Sequence, residues 1–173
     1  VLENKKTITL FELTQFQHIR RFVERNILYY TKSNQFKCLR SWYMINRGEG
    51  IEPHHHHYPS KNRTVSGVFF VQGDYAPLTI GKSSVSNVPG RVVLFNGYEP
   101  HEVRKYVWTE GDKPRISISF DYRILNQPMC DCAETTMCFK CFQTKHEWEY
   151  KEGQMYKGYS FDYLATNKLY DKI

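Results

Sequence analysis

No stretch of this chain approaches the run of about 18 apolar residues that a membrane-crossing helix requires. Its start, Val1-Leu2-Glu3-Asn4-Lys5-Lys6, carries neither an initiator Met nor the apolar segment of a secretory signal. The expectation is therefore a processed product or a piece of a longer polypeptide, in an intracellular setting or as part of a particle, with no membrane partner. Internal repeats are absent, and so are low-complexity tracts, apart from four consecutive histidines in mid-chain. A net excess of basic charge is nearly absent beyond the first forty residues. Residues 1–40 carry eight Lys/Arg against three Asp/Glu, and the remainder sixteen against fifteen. No Gly-rich or aromatic-interleaved nucleic-acid motif accompanies Arg20, Arg21 and Arg25, so they read as the solvated face of one amphipathic helix and nucleic acid is not favoured as a partner.

What is present suits one domain with a proper core: 173 residues, 40% hydrophobic, 24% charged, with 13 Tyr and 11 Phe. The aromatic and β-branched content leans toward strands. Thr7–Phe11 could be a strand. Thr14-x-x-Gln17 then has capping-box spacing, and Phe16, Ile19, Phe22, Val23 and Ile27 follow at helical intervals, which predicts a helix over 15–29. Beyond it the period changes to two. The runs 36–45, 63–71, 91–95 and 115–122 are short and bounded by Gly, Pro, Asn or Asp, the pattern of a β-sandwich or barrel. Past Pro128 the composition shifts toward Cys, Lys, Glu and Tyr. The division expected is a strand-rich domain over 1–127 and a Cys-rich C-terminal arm or small subdomain over 128–173.

Five of the seven histidines fall in two places, His54–His57 and His101. A strand sends alternate side chains to opposite faces, so His54 pairs with His56, or His55 with His57. Two imidazoles two apart, with a third from a distant strand, place three nitrogen ligands around one ion. Counting forward from Gly48 through Pro53 favours His54 and His56 over His55 and His57. His101 supplies the third ligand after the apolar run that ends at Phe95. Further on, Arg115, Ser117 and Ser119 share one face, with Ile116, Ile118 and Phe120 on the other. A guanidinium on a barrel's inner face calls for a carboxylate, and adjacent hydroxyls add hydrogen bonds. Metal and Arg together describe a site for a small dicarboxylate or keto acid. Tyr43 and Asn46, on the strand entering the cluster, are further candidates for lining it.

In order and spacing, Trp42, Asn46-Arg47-Gly48, Pro53-His54-His55-His56, Ser66-Gly67-Val68-Phe69-Phe70, Pro89-Gly90, Pro100-His101-Glu102-Val103 and Arg115-Ile116-Ser117-Ile118-Ser119-Phe120 resemble the Fe(II)/2-oxoglutarate-dependent oxygenases. The resemblance is to a branch with H-x-H, S-G-V and R-I-S-I-S-F signatures, and it covers residues 40–122. It implies a double-stranded β-helix (jelly-roll or cupin-like), with Fe(II) and 2-oxoglutarate as cofactors. The distal carboxylate of 2-oxoglutarate would meet Arg115 with Ser117, and oxygen-driven decarboxylation would be coupled to oxidation of a substrate. One departure stands out: no Asp or Glu lies two residues after any clustered histidine, where most of the superfamily completes two His and a carboxylate. Three neutral imidazoles leave the charge of the ion to be balanced by the 2-oxoglutarate dianion.

Cys130, Cys132, Cys138 and Cys141 pack four thiols into twelve residues, and such a set suits a closed tetrahedral Zn site that would stabilise the arm. His146 could replace one of them. Disulfides and a redox dithiol at Cys138-x-x-Cys141 are the alternatives; without a secretory signal, zinc is favoured. Two rival functions keep the barrel: a cupin-type metal-binding protein, and a catalytically inactive structural or interaction module of a larger assembly or homo-oligomer. The substrate-selecting loops expected at 72–88 and 104–114 contain no recognisable code.

Overall fold

The computed structural model describes residues 9–56, 62–73, 76–128 and 163–165. The architecture is mainly β, with two antiparallel sheets and one N-terminal helix. The four runs of period-two sequence become the four longest strands: β1 (Phe36–Asn46), β3 (Asn62–Gln72), β6 (Val92–Asn96) and β8 (Arg115–Pro128). With the short β9 (Tyr163–Ala165) they form one sheet in the order β1-β8-β3-β6-β9. A second sheet, β2-β7-β4-β5, comes from shorter pieces: β2 (Ile51–His54), β4 (Leu78–Ile80), β5 (Ser83–Val85) and β7 (His101–Val103). Of these, β4 and β5 form a hairpin within the segment expected to be a loop at 72–88. The residues expected to form a separate arm contribute β9, which pairs with β6 through Phe95 opposite Tyr163. No helix among the described residues is long and apolar enough to cross a membrane.

The N-terminus departs from expectation. Leu10–Glu12 forms a 3-10 turn rather than part of a strand, because the Phe11 N–H is satisfied by Ser41 Oγ at 2.8 Å instead of by a neighbouring strand. The capping box does not form either. A second 3-10 turn occupies Thr14–Phe16, and the Gln17 side chain turns back to donate to the carbonyls of Phe11 (2.8 Å) and Leu13 (3.4 Å). Helix α1 therefore runs Gln17–Thr31 and stops at Lys32. That residue takes a left-handed φ of 56° while its N–H reaches Leu28 O, which satisfies one of the last carbonyls.

Alternation on the central strands separates two apolar clusters, one on each face of the first sheet. Val65 and Phe69 of β3, Val92 and Leu94 of β6, and Ile118, Phe120, Tyr122 and Ile124 of β8 pack with Phe11, Val23 and Ile27. The opposite parity, Val68, Phe70, Val93 and Phe95, packs against Leu78, Ile80, Val85 and Val103 of the second sheet. On β8 that inward parity is polar: Arg115, Ser117, Ser119 and Asp121. The sheet thus carries one mainly apolar face and one whose apolar lining is interrupted by a polar column.

Gly67 marks the closest approach in the first cluster. A Cβ there would stand 2.4 Å from the Phe120 ring and 2.8 Å from Leu94 Cδ2, both on strands that pair with β3 at this residue. Gly67→Ala should therefore destabilise the fold by about 1–3 kcal/mol. Gly111→Ala, where nothing lies within 4 Å of the added carbon, should leave stability nearly unchanged. Denaturant melts of the two variants make the comparison, and equal stabilities would contradict this packing.

Candidate metal centre

Two neighbouring strands and one turn build the histidine cluster. In the antiparallel β2–β7 pair, His54 lies opposite His101, so their side chains share a face and their rings stand 4.3 Å apart between centroids. The chain leaves β2 after His54, and the His56 N–H bonds Gly97 O at 2.9 Å, which returns the next-but-one imidazole to the same place. Its ring lies 5.2 Å from that of His54 and 4.9 Å from that of His101. One ligand atom from each histidine falls within 4.8 Å of the others. Nitrogens that share an ion at about 2.1 Å stand at most about 4.2 Å apart. A small inward adjustment therefore suffices, and the three side chains could hold a metal ion.

Each imidazole is held by its Nδ1. His54 Nδ1 donates to Glu52 O at 2.8 Å and His101 Nδ1 to Glu99 O at 2.9 Å. A carbonyl only accepts, so these two rings carry their proton on Nδ1 and leave the Nε2 lone pair for a metal. His56 Nδ1 faces Asp121 Oδ1 at 2.7 Å. Burial, and then the neighbouring His54 and His56, hold the His101 pKa well below its ordinary value; burial first also lowers that of His54. Both rings are accordingly disposed to the neutral form that binds metals.

The same pocket takes in Arg115, Ser117 and Ser119 from β8 and is walled by Trp42, Met44, Leu78 and Phe95. Arg115 is 1% exposed. Its Nη1 donates to Ser117 Oγ at 3.3 Å and its guanidinium stands 5.6 Å from the Phe70 ring centre, while among the described residues Nε has no hydrogen-bond partner. Among the described residues no carboxylate pairs with it. Burial lowers its pKa to about 10, a value at which the group is still cationic near neutrality. A buried charge with no counterion is costly, and this one lines a pocket that also holds three imidazoles able to share an ion.

Of the residues singled out in the sequence, the structure brings His54, His56, His101, Arg115 and Ser117 together around one pocket. His55 does not join the cluster, and His57 lies outside the described residues, as do Cys130, Cys132, Cys138, Cys141 and His146. Tyr43 and Asn46 require correction. Tyr43 has the outward parity of β1 and is 63% exposed; its neighbours Trp42 and Met44 line the pocket instead. Asn46 is buried but organises the following turn. It donates to Gly50 O at 2.8 Å and accepts from the N–H groups of Gly48 and Gly50, both of which have left-handed φ. Asp121 was missed, although it continues the period-two series Arg115, Ser117, Ser119. No protein-family model matches the chain, and no curated protein matches it either.

Co(II) at 100 times its Kd should stabilise the protein by about 2.7 kcal/mol, because the folded state alone presents the three nitrogens together. His101→Ala should abolish that increment. Melts with and without Co(II) measure it, and an undiminished increment in the variant would show that the ion binds elsewhere.

Proposed function

We propose that the chain is an Fe(II)/2-oxoglutarate-dependent dioxygenase built on a double-stranded β-helix. The observation that carries this reading is a buried guanidinium that has no carboxylate partner among the described residues and lines the same pocket as three convergent imidazoles. An acidic co-substrate that touches both features resolves the cost of each. It supplies the missing counterion to Arg115, and it supplies negative charge to an ion whose protein ligands are all neutral. Imidazole donors suit Fe(II), and the order of the motifs along residues 40–122 resembles that oxygenase family.

In this reading His54, His56 and His101 hold the iron through Nε2, and Arg115 with Ser117 binds the far carboxylate of 2-oxoglutarate. When bound, iron and 2-oxoglutarate together supply oxygen activation, coupling decarboxylation to oxidation of a substrate C–H bond. The rest is the work of the protein. The Arg115–Ser117 hydrogen bond keeps one guanidinium N–H group aligned while Nε stays available for the carboxylate. Trp42, Met44, Leu78 and Phe95 give the pocket apolar walls, and a less polar surrounding strengthens the charge–charge contacts inside. The carbonyls of Glu52 and Glu99 fix two rings so that their lone pairs converge.

Replacing Arg115 removes a charge-assisted pair while leaving the histidines intact. Arg115→Ala should weaken 2-oxoglutarate binding about 10- to 100-fold, as expected for loss of about 1.5–3 kcal/mol of hydrogen bonding to a charged group, with Fe(II) affinity retained. Anaerobic titration of 2-oxoglutarate into the Fe(II)-loaded protein, followed by its visible charge-transfer absorption, reads the effect. Equal binding by both proteins would refute the assignment of Arg115. Metal binding with no response to 2-oxoglutarate in either would instead favour a cupin-type metal protein.

A further inference from the structure

Asp121 is fully buried, and its two carboxylate oxygens are used unequally. Oδ1 accepts from Ser66 Oγ at 2.5 Å and faces His56 Nδ1 at 2.7 Å, while Oδ2 takes Arg40 Nε at 2.6 Å. These partners come from three separate parts of the chain: Arg40 on β1, Ser66 on β3 and His56 after β2. Asp121 itself lies on β8 between the first two strands, opposite Ser66 in one register and Arg40 in the other. A carboxylate is rarely buried unless it is paired, and here it is bonded on both sides. The other two imidazoles of the cluster rest on backbone carbonyls. Only His56 rests on an anion.

We propose that Asp121 is a positioning residue of the metal centre: through His56 it supplies, from behind the ring, the negative charge that the three-histidine ligand set lacks. A carboxylate that accepts from Nδ1 keeps the proton there and the Nε2 lone pair directed at the ion. It also makes the imidazole a stronger electron donor, as partners of metal-bound histidines generally do. Ser66 locks Oδ1 in place. Arg40, whose side chain is 47% exposed and which lies over the Trp42 ring at 4.5 Å, binds the other oxygen. Arg40 therefore draws charge away from the metal side, and the histidine and the guanidinium share one anion. This inference rests on the three histidines binding a metal; it does not depend on 2-oxoglutarate.

Calorimetric titration of Co(II) into the full chain, with the visible absorption of the bound ion as a second readout, tests it on the wild type, Asp121→Asn and Arg40→Gln. Asp121→Asn keeps the shape and removes the charge. It should bind Co(II) about 10- to 100-fold more weakly and shift the ligand-field bands of whatever ion remains bound. Arg40→Gln breaks the other half of the same network; it should lower the melting temperature of the metal-free protein yet leave Co(II) affinity unchanged or tighter. A merely structural network would lower affinity in both variants alike, and that result overturns the proposal, as does wild-type affinity in Asp121→Asn. Should Asp121→Asn fail to fold, long-range 1H–15N spectra of the wild-type imidazoles decide: a proton on Nδ1 of His56 supports the assignment, and one on Nε2 overturns it. A wild-type protein that binds no Co(II) refutes the metal reading itself, and the role of Asp121 with it.

Discussion

A strand in the interior of a sheet has two faces, and β8 must satisfy opposite demands on them. Ile118, Phe120, Tyr122 and Ile124 bury against the helix, while Arg115, Ser117, Ser119 and Asp121 point the other way. Because the side-chain period is two, a slip of one residue would drive an arginine and an aspartate into the apolar cluster. That penalty fixes the register of β8 between β1 and β3. With the register fixed, Arg115 and Asp121 stand at set places along one column. The candidate site depends on this constraint, since the two charged groups hold opposite ends of the polar column.

The two charges are treated differently. Asp121 is matched on both oxygens by Arg40, Ser66 and His56, so its burial is compensated within the fold. Among the described residues Arg115 has one serine hydroxyl and the face of Phe70. The column thus compensates Asp121 closely and, among the described residues, leaves Arg115, beside the imidazoles, short of an anion. Charge bookkeeping of this sort points to an acidic ligand more directly than pocket shape does, because an apolar ligand would leave the guanidinium unrelieved.

Much of the architecture was legible from periodicity. The four long strands and the amphipathic helix followed from where apolar residues recur, and β8 was readable on both faces. The second sheet was not, because strands of three or four residues carry too little pattern to distinguish from loop. Of the strand expected over Thr7–Phe11, Thr7 and Ile8 lie outside the described residues, and at its end Ser41 Oγ takes the N–H of Phe11 that a strand would give to a neighbour. Among the site residues, His54 and His56 could not be separated from His55 and His57 by alternation, which both pairs obey equally. Counting forward from Gly48 favours His54 and His56, and in space the opposition of His54 and His101 and the bond from His56 to Gly97 bring that pair together. Tyr43 was misplaced by one step of parity, and Asp121 was within reach of the same parity argument had the series been continued.

The central claim is that one ion and one anion share the pocket between His54, His56, His101 and Arg115. A crystal structure of the protein grown without oxygen in Fe(II) and 2-oxoglutarate tests it most directly. The account predicts a single metal bound by Nε2 of the three histidines, with the far carboxylate of the ligand against the Arg115 guanidinium. A metal bound through other residues, or a ligand that leaves Arg115 without a carboxylate, would contradict it.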